Sequence, residues 1–347
     1  MMKVISEFLN SIEISDFSAT PKYQQLVDSI IEAIQNKQFR IGDLLPSINE
    51  VSMCLEVSRD TVEKAYKHLK NSGIISSTPG KGYFVAKNDV VKKLKIAIFL
   101  NKLSAHKKIV YDAFVKELGE EASIDLFVYH SDISLLRRLF QNLNKPYDRY
   151  VIFPHFKEGR DQAPELLSLF PQDKLILLGK HIDGIKDDVD CIYENYENDI
   201  YDSLEKIVSY LSKYDMIKLI FPNHSDYPKA IIKGFYKLCS QYALEHILVG
   251  DLSKERIKSG ECYISLTEND LVLLLEKTID KKYEIGKDIG VISYNETALK
   301  KFILNGIATI STDFELMGRY AAQIIKNNEK KQIEVPFYVN VRPSIFR

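Results

Sequence analysis

The 347 residues carry a formal net charge of −1 and 45% hydrophobic side chains, which excludes a polycation or a disordered polyelectrolyte and suffices for ordinary cores. That length suggests roughly two domains. Cys54, Cys191, Cys239 and Cys262 make no Cys-x-x-Cys pair, and no stretch approaches the ~18 apolar residues of a membrane span, so buried reduced thiols in a cytoplasmic, non-membrane protein are expected.

Residues 1–19 form a mildly amphipathic lead-in whose Phe8, Leu9 and Ile12 are expected to pack as an N-terminal arm. After Pro21, Tyr23, Leu26, Val27, Ile30, Ile31 and Ile34 repeat with helical spacing. Gly42 and the Leu44-Leu45-Pro46 turn end that helix. Ser47-Ile48-Asn49-Glu50 reads as a capping box opening a short second helix, in which Ser47 caps and Glu50 reaches back. Ser58 stands at the N-cap position of a third helix with Val62, Ala65, Tyr66 and Leu69 on one stripe. Arg59, Asp60, Glu63, Lys64 and Lys67 are left on its other side. Beyond Gly73, Ile74–Thr78 and Tyr83–Val85 read as two strands around Pro79-Gly80-Lys81-Gly82. Three helices and a hairpin in this order make a winged helix-turn-helix over residues 20–86, whose third helix suits a DNA major groove. Arg can fork onto guanine O6/N7, and hydroxyls bind phosphates. Residues 20–88 hold nine Lys/Arg and seven Asp/Glu, a net of +2, so geometry rather than charge carries this reading.

Pro21–Gln25, Gly42–Ser47, Val57–Val62, Gly73 and Gly80–Val85 resemble the signature of the GntR family of bacterial transcription regulators, over about 65 residues. The resemblance implies DNA contacts from Ser47, Asn49, Ser58, Arg59, Thr61, Lys64, Gly80, Lys81 and Gly82. Asn49 and Glu63 stand where many members have a basic residue, which implies a differently read operator, with Asn49 suited to adenine. A lone Arg59 would ordinarily be a solvated surface charge, and only its setting argues otherwise.

Polar residues 87–94 read as a linker. From Lys95 the texture changes to alternating strands and helices: Ile96–Leu100, Val110–Glu121, Ile124–Tyr129, Ile133–Leu143, Tyr150–Phe153, Pro164–Leu169 and Leu175–Leu178. A second series follows with Ile200–Leu211, Lys218–Phe221, Lys229–Tyr242, Ile247–Val249, Cys262–Ser265, Asp270–Thr278, Gly290–Ser293 and Asp313–Lys326. The alternation predicts a doubly wound α/β effector domain of two lobes over 95–347, with ligand at the carboxyl ends of its strands.

Glu268-Asn269-Asp270, Ile289–Glu296 and Ile307–Ala322 resemble the effector domain of the lactose- and galactose-repressor family, which has the fold of periplasmic sugar-binding proteins. A GntR-type head on such a domain is the arrangement of arabinose-operon repressors and is similar to fucose-operon repressors. The resemblance implies a repressor of a sugar-utilisation operon that binds double-stranded operator DNA as a homodimer and responds to a monosaccharide of arabinose or fucose type. Sugar-contacting candidates are Asn101, His155, Phe156, Glu194, Asn195, Lys229, Asp251, Asp270, Asn295 and Glu296. Each has an ordinary reading too: Asp270 as a helix N-cap, Phe156 as core, the others as loop residues. Ile231 stands where the family often has an arginine three residues before Gly234-Phe235, and Lys229 is the nearest replacement.

No Gly-x-Ser-x-Gly elbow occurs, Gly80-Lys81 lacks the spacing of a P-loop, and His68, His106, His130, His155, His181, His224 and His246 show no metal-ligand spacing. No cofactor and no catalysis are therefore expected. An α/β domain serving only assembly, or an enzyme carrying a DNA-binding head, are the competing readings.

Overall fold

Pro21 opens α1 (Lys22–Gln35), which buries Gln25, Leu26, Val27, Ser29, Ile30, Ile31, Ala33 and Ile34. That burial reaches well beyond the single apolar stripe of its sequence. The computed structural model describes residues 8, 11–12, 14–16, 18, 20–88, 93–143, 147–185, 189–223 and 227–346. Most of the lead-in including Leu9, residues 89–92 of the expected linker, and His224 lie outside them.

The head continues through β1 (Leu44–Leu45), α2 (Ile48–Cys54), α3 (Arg59–Asn71), β2 (Ile75–Thr78) and β3 (Gly82–Val85). The Leu44-Leu45 pair, expected within a turn, is a short strand. It pairs antiparallel with β3, and Gly42 and Val85 extend that ladder with backbone bonds to Val85 and Asp43. Phe8 and Ile12 are buried in the same core as α1 and α3, with Phe8 against the ring of Phe39. Gln25 holds the lead-in through its amide, accepting from Ser15 N at 2.8 Å and donating to the Thr20 carbonyl at 2.7 Å. Cys54 is exposed on α2, contrary to expectation, because it falls on that helix's outer face; Cys191, Cys239 and Cys262 are buried free thiols.

Next come β4 (Leu94–Leu100), α4 (Ala105–Leu118), β5 (Ala122–Val128), α5 (Ile133–Gln141), β6 (Arg149–Ile152), α6 (Ala163–Ser168), β7 (Leu175–Gly179) and β8 (Asp190–Tyr193). The chain goes on with α7 (Tyr196–Lys206), α8 (Val208–Leu211), β9 (Met216–Ile220), α9 (Ala230–Gln241), β10 (His246–Val249), β11 (Glu261–Ser265) and α10 (Glu268–Asp280). It closes with β12 (Ile289–Tyr294), β13 (Ala308–Thr312), α11 (Phe314–Asn327), β14 (Gln332–Glu334) and β15 (Phe337–Asn340). Strands β8, β13, β14 and β15 were not among the expected elements, being four, five, three and four residues long.

The chain divides into two compact units, the first holding residues 1–102, 118–152 and 165–175 and the second the remainder. In the first, β4 pairs in parallel with both β5 and β6. The head shares this unit, because the second side of α1 lies against β4 and β5. Ser123 donates to Asp28 at 2.6 Å, Thr20 donates to the Ile124 carbonyl at 3.1 Å, and Lys95 pairs with Glu32.

In the second unit, β8 pairs in parallel with β7 and β14. A six-stranded sheet there runs β10-β9-β11-β12-β13-β15, parallel except for the last pair. Its central strands are buried along their length, as expected of a sheet covered on both faces. Gly234 lets α9 approach α7, since a Cβ there would sit 2.1 Å from the Glu197 carbonyl oxygen and 2.6 Å from Ile200 Cγ2. Gly234→Ala is therefore expected to destabilise the protein by about 1–3 kcal/mol. Chemical denaturation checks this, and unchanged stability would mean the two helices separate freely.

Candidate DNA-reading helix and effector cavity

The N-terminal turn of α3 is fixed from beneath. Ser58 accepts from Thr61 N at 3.2 Å, and the two hydroxyls lie 2.8 Å apart. Val62, Ala65, Tyr66 and Leu69 are buried behind that turn. The Tyr66 hydroxyl donates to the Pro46 carbonyl at 2.8 Å, while its ring meets Tyr83 of the wing edge-on at 4.8 Å between centroids. One side chain thus ties the third helix to the turn before α2 and to β3. Lys70 adds a bond to Ser77 at 2.8 Å. The capping box forms as read, with both Ser47–Glu50 bonds present.

On this frame Ser47, Asn49, Ser58, Arg59, Lys64, Gly80, Lys81 and Gly82 are exposed and Thr61 is half-buried. The ammonium of Lys64 lies 4.0 Å over the Tyr23 ring. Gly80 and Gly82 have φ of +80° and +86°, which shapes the tight wing tip that presents Lys81.

In the second unit a cavity of about 580 Å³ opens at the carboxyl ends of β7 and β8. Its lining includes four sequence candidates, His155, Phe156, Glu194 and Asn195. Glu194 is held in place by Tyr196, whose hydroxyl donates at 2.9 Å, and by Thr312 at 2.5 Å. Burial pushes the Glu194 carboxyl above its ordinary range, against those hydrogen bonds and the nearby Lys107. Gly179, at φ +98°, lets His155 close in, since a Cβ there would lie 3.0 Å from His155 Cε1 and 3.5 Å from Glu194 Oε2. Asn195 donates to Glu334 at 3.3 Å.

The other candidates lie elsewhere. Asn101, in the first unit, is buried and donates to Ser131 at 3.3 Å. Asp251 is exposed, caps a short turn through Ser253 and pairs with Lys254 at 3.2 Å. Asp270 is not the N-cap of α10: Thr267 is, and it donates back to the Asp270 carboxylate at 2.5 Å. Asn295 is buried at φ +66°, its backbone carbonyl accepting from Lys300 at 2.7 Å. Glu296 accepts from Asn340 at 2.7 Å and pairs with Arg342 at 2.9 Å. Burial opposes its charge, but hydrogen bonds from Thr309, Arg342 and Asn340 outweigh this and hold its carboxyl below the ordinary range. Lys229 is exposed at the start of α9, between cavity residues Pro228 and Ala230, and Ile231 is core. Among the described residues, the Lys and Arg side chains that line the cavity are Arg160 and Lys180.

Sequence reasoning also passed over His181, Asp183, Tyr193 and Tyr196 in that lining. Lys180 and His181 follow the β7 run directly, so the rule that ligands gather after strand ends could have found them.

Asp199, in the first turn of α7, is buried with Oδ2 unpartnered, and burial, then Glu194 and Glu334, push it up to about 7. The folded state therefore holds its proton where the unfolded chain has released it. Asp199 thus lowers stability as pH rises from about 4 through about 7. Asp199→Asn is expected to flatten that part of the Tm–pH curve, and a curve unchanged from the parent's would locate the slope elsewhere.

The family model for bacterial regulatory proteins of the gntR family matches residues 22–85. The HTH-type transcriptional regulator YhcF of Bacillus subtilis (strain 168), itself uncharacterised, is 32% identical over 104 residues, which is 30% of this chain and 79% of YhcF. The trehalose repressor from Escherichia coli superimposes with a TM-score of 0.60 at 16% identity, over 72% of this chain and 100% of that one. A lac repressor dimer bound to operator and the anti-inducer ONPF gives 0.60 at 16%, over 74% of this chain and 95% of that one. At such identity the structural likeness shows the fold: a two-lobed, periplasmic-binding-protein-like α/β domain follows the winged head. The chain is a transcription regulator that belongs to the GntR family of bacterial regulatory proteins.

Proposed function

We propose that the protein is a dimeric repressor of a sugar-utilisation operon, whose grip on operator DNA is set by a monosaccharide in the cavity of the second unit. The observation that carries this is the exposed Arg59 on the first turn of a helix whose opposite side is bolted down by Tyr66. Such a turn can meet base edges without moving the head's core. Ser58 and Thr61 supply hydroxyls for phosphate, and Lys81 at the wing tip supplies charge. A dimer would set two such helices in half-sites about one helical turn apart.

The cavity supports a receptor over a domain that serves assembly alone. Its lining mixes His155, Glu194 and Asn195 with the aromatic rings of Phe156, Tyr193 and Tyr196, the combination that a ring of hydroxyls with apolar C–H faces calls for. Its volume lies in the ordinary range for small-molecule sites. The likeness to arabinose- and fucose-operon repressors makes those two sugars the first to test. Signal would reach the head through α1, which packs into the head's core and also bonds to β5. To release DNA, ligand must bind the two states unequally, and couplings of about 1–3 kcal/mol are typical.

With an operator selected by the full chain from random-sequence DNA, Arg59→Ala is expected to cost roughly 1–3 kcal/mol of affinity and to relax base preference. An unchanged titration and footprint would remove Arg59 from the interface. Lys81→Ala is expected to weaken selected and unrelated DNA alike and to lower the salt slope by about one. A salt slope equal to the parent's would place Lys81 away from phosphate.

A further inference from the structure

Building on the receptor reading above, we propose that the monosaccharide bound here carries an anionic group, a carboxylate or a phosphate, seated by Arg160 and Lys180. Both side chains line the cavity. Among the described residues Arg160 is oriented by one hydrogen bond, from Nε to the Phe156 carbonyl at 3.0 Å, and its terminal N–H groups point to no acceptor there, so they can fork onto an oxyanion. Lys180 is half-buried, and no ion pair to it is found among the described residues. Burial, and then the neighbouring Arg160 charge, hold the Lys180 ammonium below its ordinary range. Two cations side by side, one partly desolvated, raise each other's energy, and an anion between them reverses the sign of that interaction.

Among the described residues, the acidic groups that line the cavity do not fill this role. Asp183 lines the same cavity, yet no ion pair joins it to Arg160 or Lys180. Glu194 is committed to Tyr196 and Thr312, and burial favours its protonated form. An anionic substituent can therefore face the cations while Tyr193, Tyr196 and Phe156 cover the sugar's apolar faces. It would also account for a cationic group in this chain despite Ile231 being core, since the charge enters from the loops after β6 and β7 instead of from α9.

The test is calorimetric titration of the full chain, at low ionic strength, with six probes: arabinose, fucose, a hexuronate, a hexonate, a hexose 6-phosphate and inorganic phosphate. An acidic sugar is expected to bind at least about tenfold more tightly than either neutral sugar. The hexuronate and hexonate arms against the hexose-phosphate arm separate carboxylate from phosphate. Arg160→Gln and Lys180→Gln are each expected to weaken the acidic sugar about tenfold or more without changing the weak binding of the neutral ones. Lys180→Arg restores the charge and is expected to recover most of that affinity. Neutral sugars binding as well as the acidic ones, or Lys180→Gln leaving acidic-sugar affinity unchanged, would overturn the assignment while the receptor reading stands. Inorganic phosphate binding as tightly as every sugar would overturn it as well, because the ring then contributes nothing. Heat from none of the six probes would overturn this assignment and the sugar-receptor reading together.

Discussion

A surface helix normally has one dry side. In α1 both sides are in use: Leu26, Ile30 and Ile34 belong to the head's core, while Asp28 and Glu32 meet Ser123 and Lys95. This two-sided seat constrains everything else in the first unit. It places the DNA-binding head in the same compact body as the first strands of the effector domain, so the head is not a bead on a free string. The two contacts differ in strength. The core side is apolar and close-packed, whereas the strand side is polar, with hydrogen bonds and the Lys95–Glu32 ion pair beside a polar pocket of about 80 Å³. Burial raises the Asp28 carboxyl above its ordinary range, opposed by Ser123 and Gln24. A polar contact of that kind can be released at modest cost while the apolar one stays shut, which is the asymmetry a movable head requires.

The same division between committed and available groups runs through the second unit. Glu296, Asp270 and Lys300 are polar or charged side chains at strand and helix ends, but each is engaged by its neighbours, Glu296 most completely. These contacts hold the loops after β12 and before α10. Arg160 and Lys180 instead border open space. A buried group already satisfied by the protein gains little from a ligand, whereas an unpaired charge gains the whole interaction. Chemistry in this domain is therefore read from what remains uncommitted, not from which polar residue stands at a strand end.

Features set by local physics were legible in the residues. The Ser47–Glu50 capping box, the Ser58 cap, the apolar stripe through Tyr66 and the glycine-bounded wing each involve positions a few residues apart, and each forms as read. Alternation in the C-terminal part likewise announced an α/β domain. Contacts across long separations were not legible. Nothing near Asp28 says that Ser123, 95 residues on, will bond to it. Pattern also misplaced roles inside correctly identified elements: Thr267 rather than Asp270 caps α10, and Leu44-Leu45 is an edge strand because β3 offers it a partner. The cavity cations were missed because Arg160 opens a three-residue 3₁₀ turn with no motif, and attention to Lys229 followed a likeness that this chain departs from at Ile231.

The proposed coupling between receptor and reader runs through α1. Its most direct test is an anisotropy titration of selected operator with the full chain and with a Thr20→Ala, Asp28→Ala variant, each with and without a sugar shown to raise the protein's Tm. The expected result is that the variant keeps its operator affinity but no longer changes it when the sugar is added. A variant whose operator affinity shifts by the same factor as the parent's would contradict the account, and would mean that the signal travels to the head by another route.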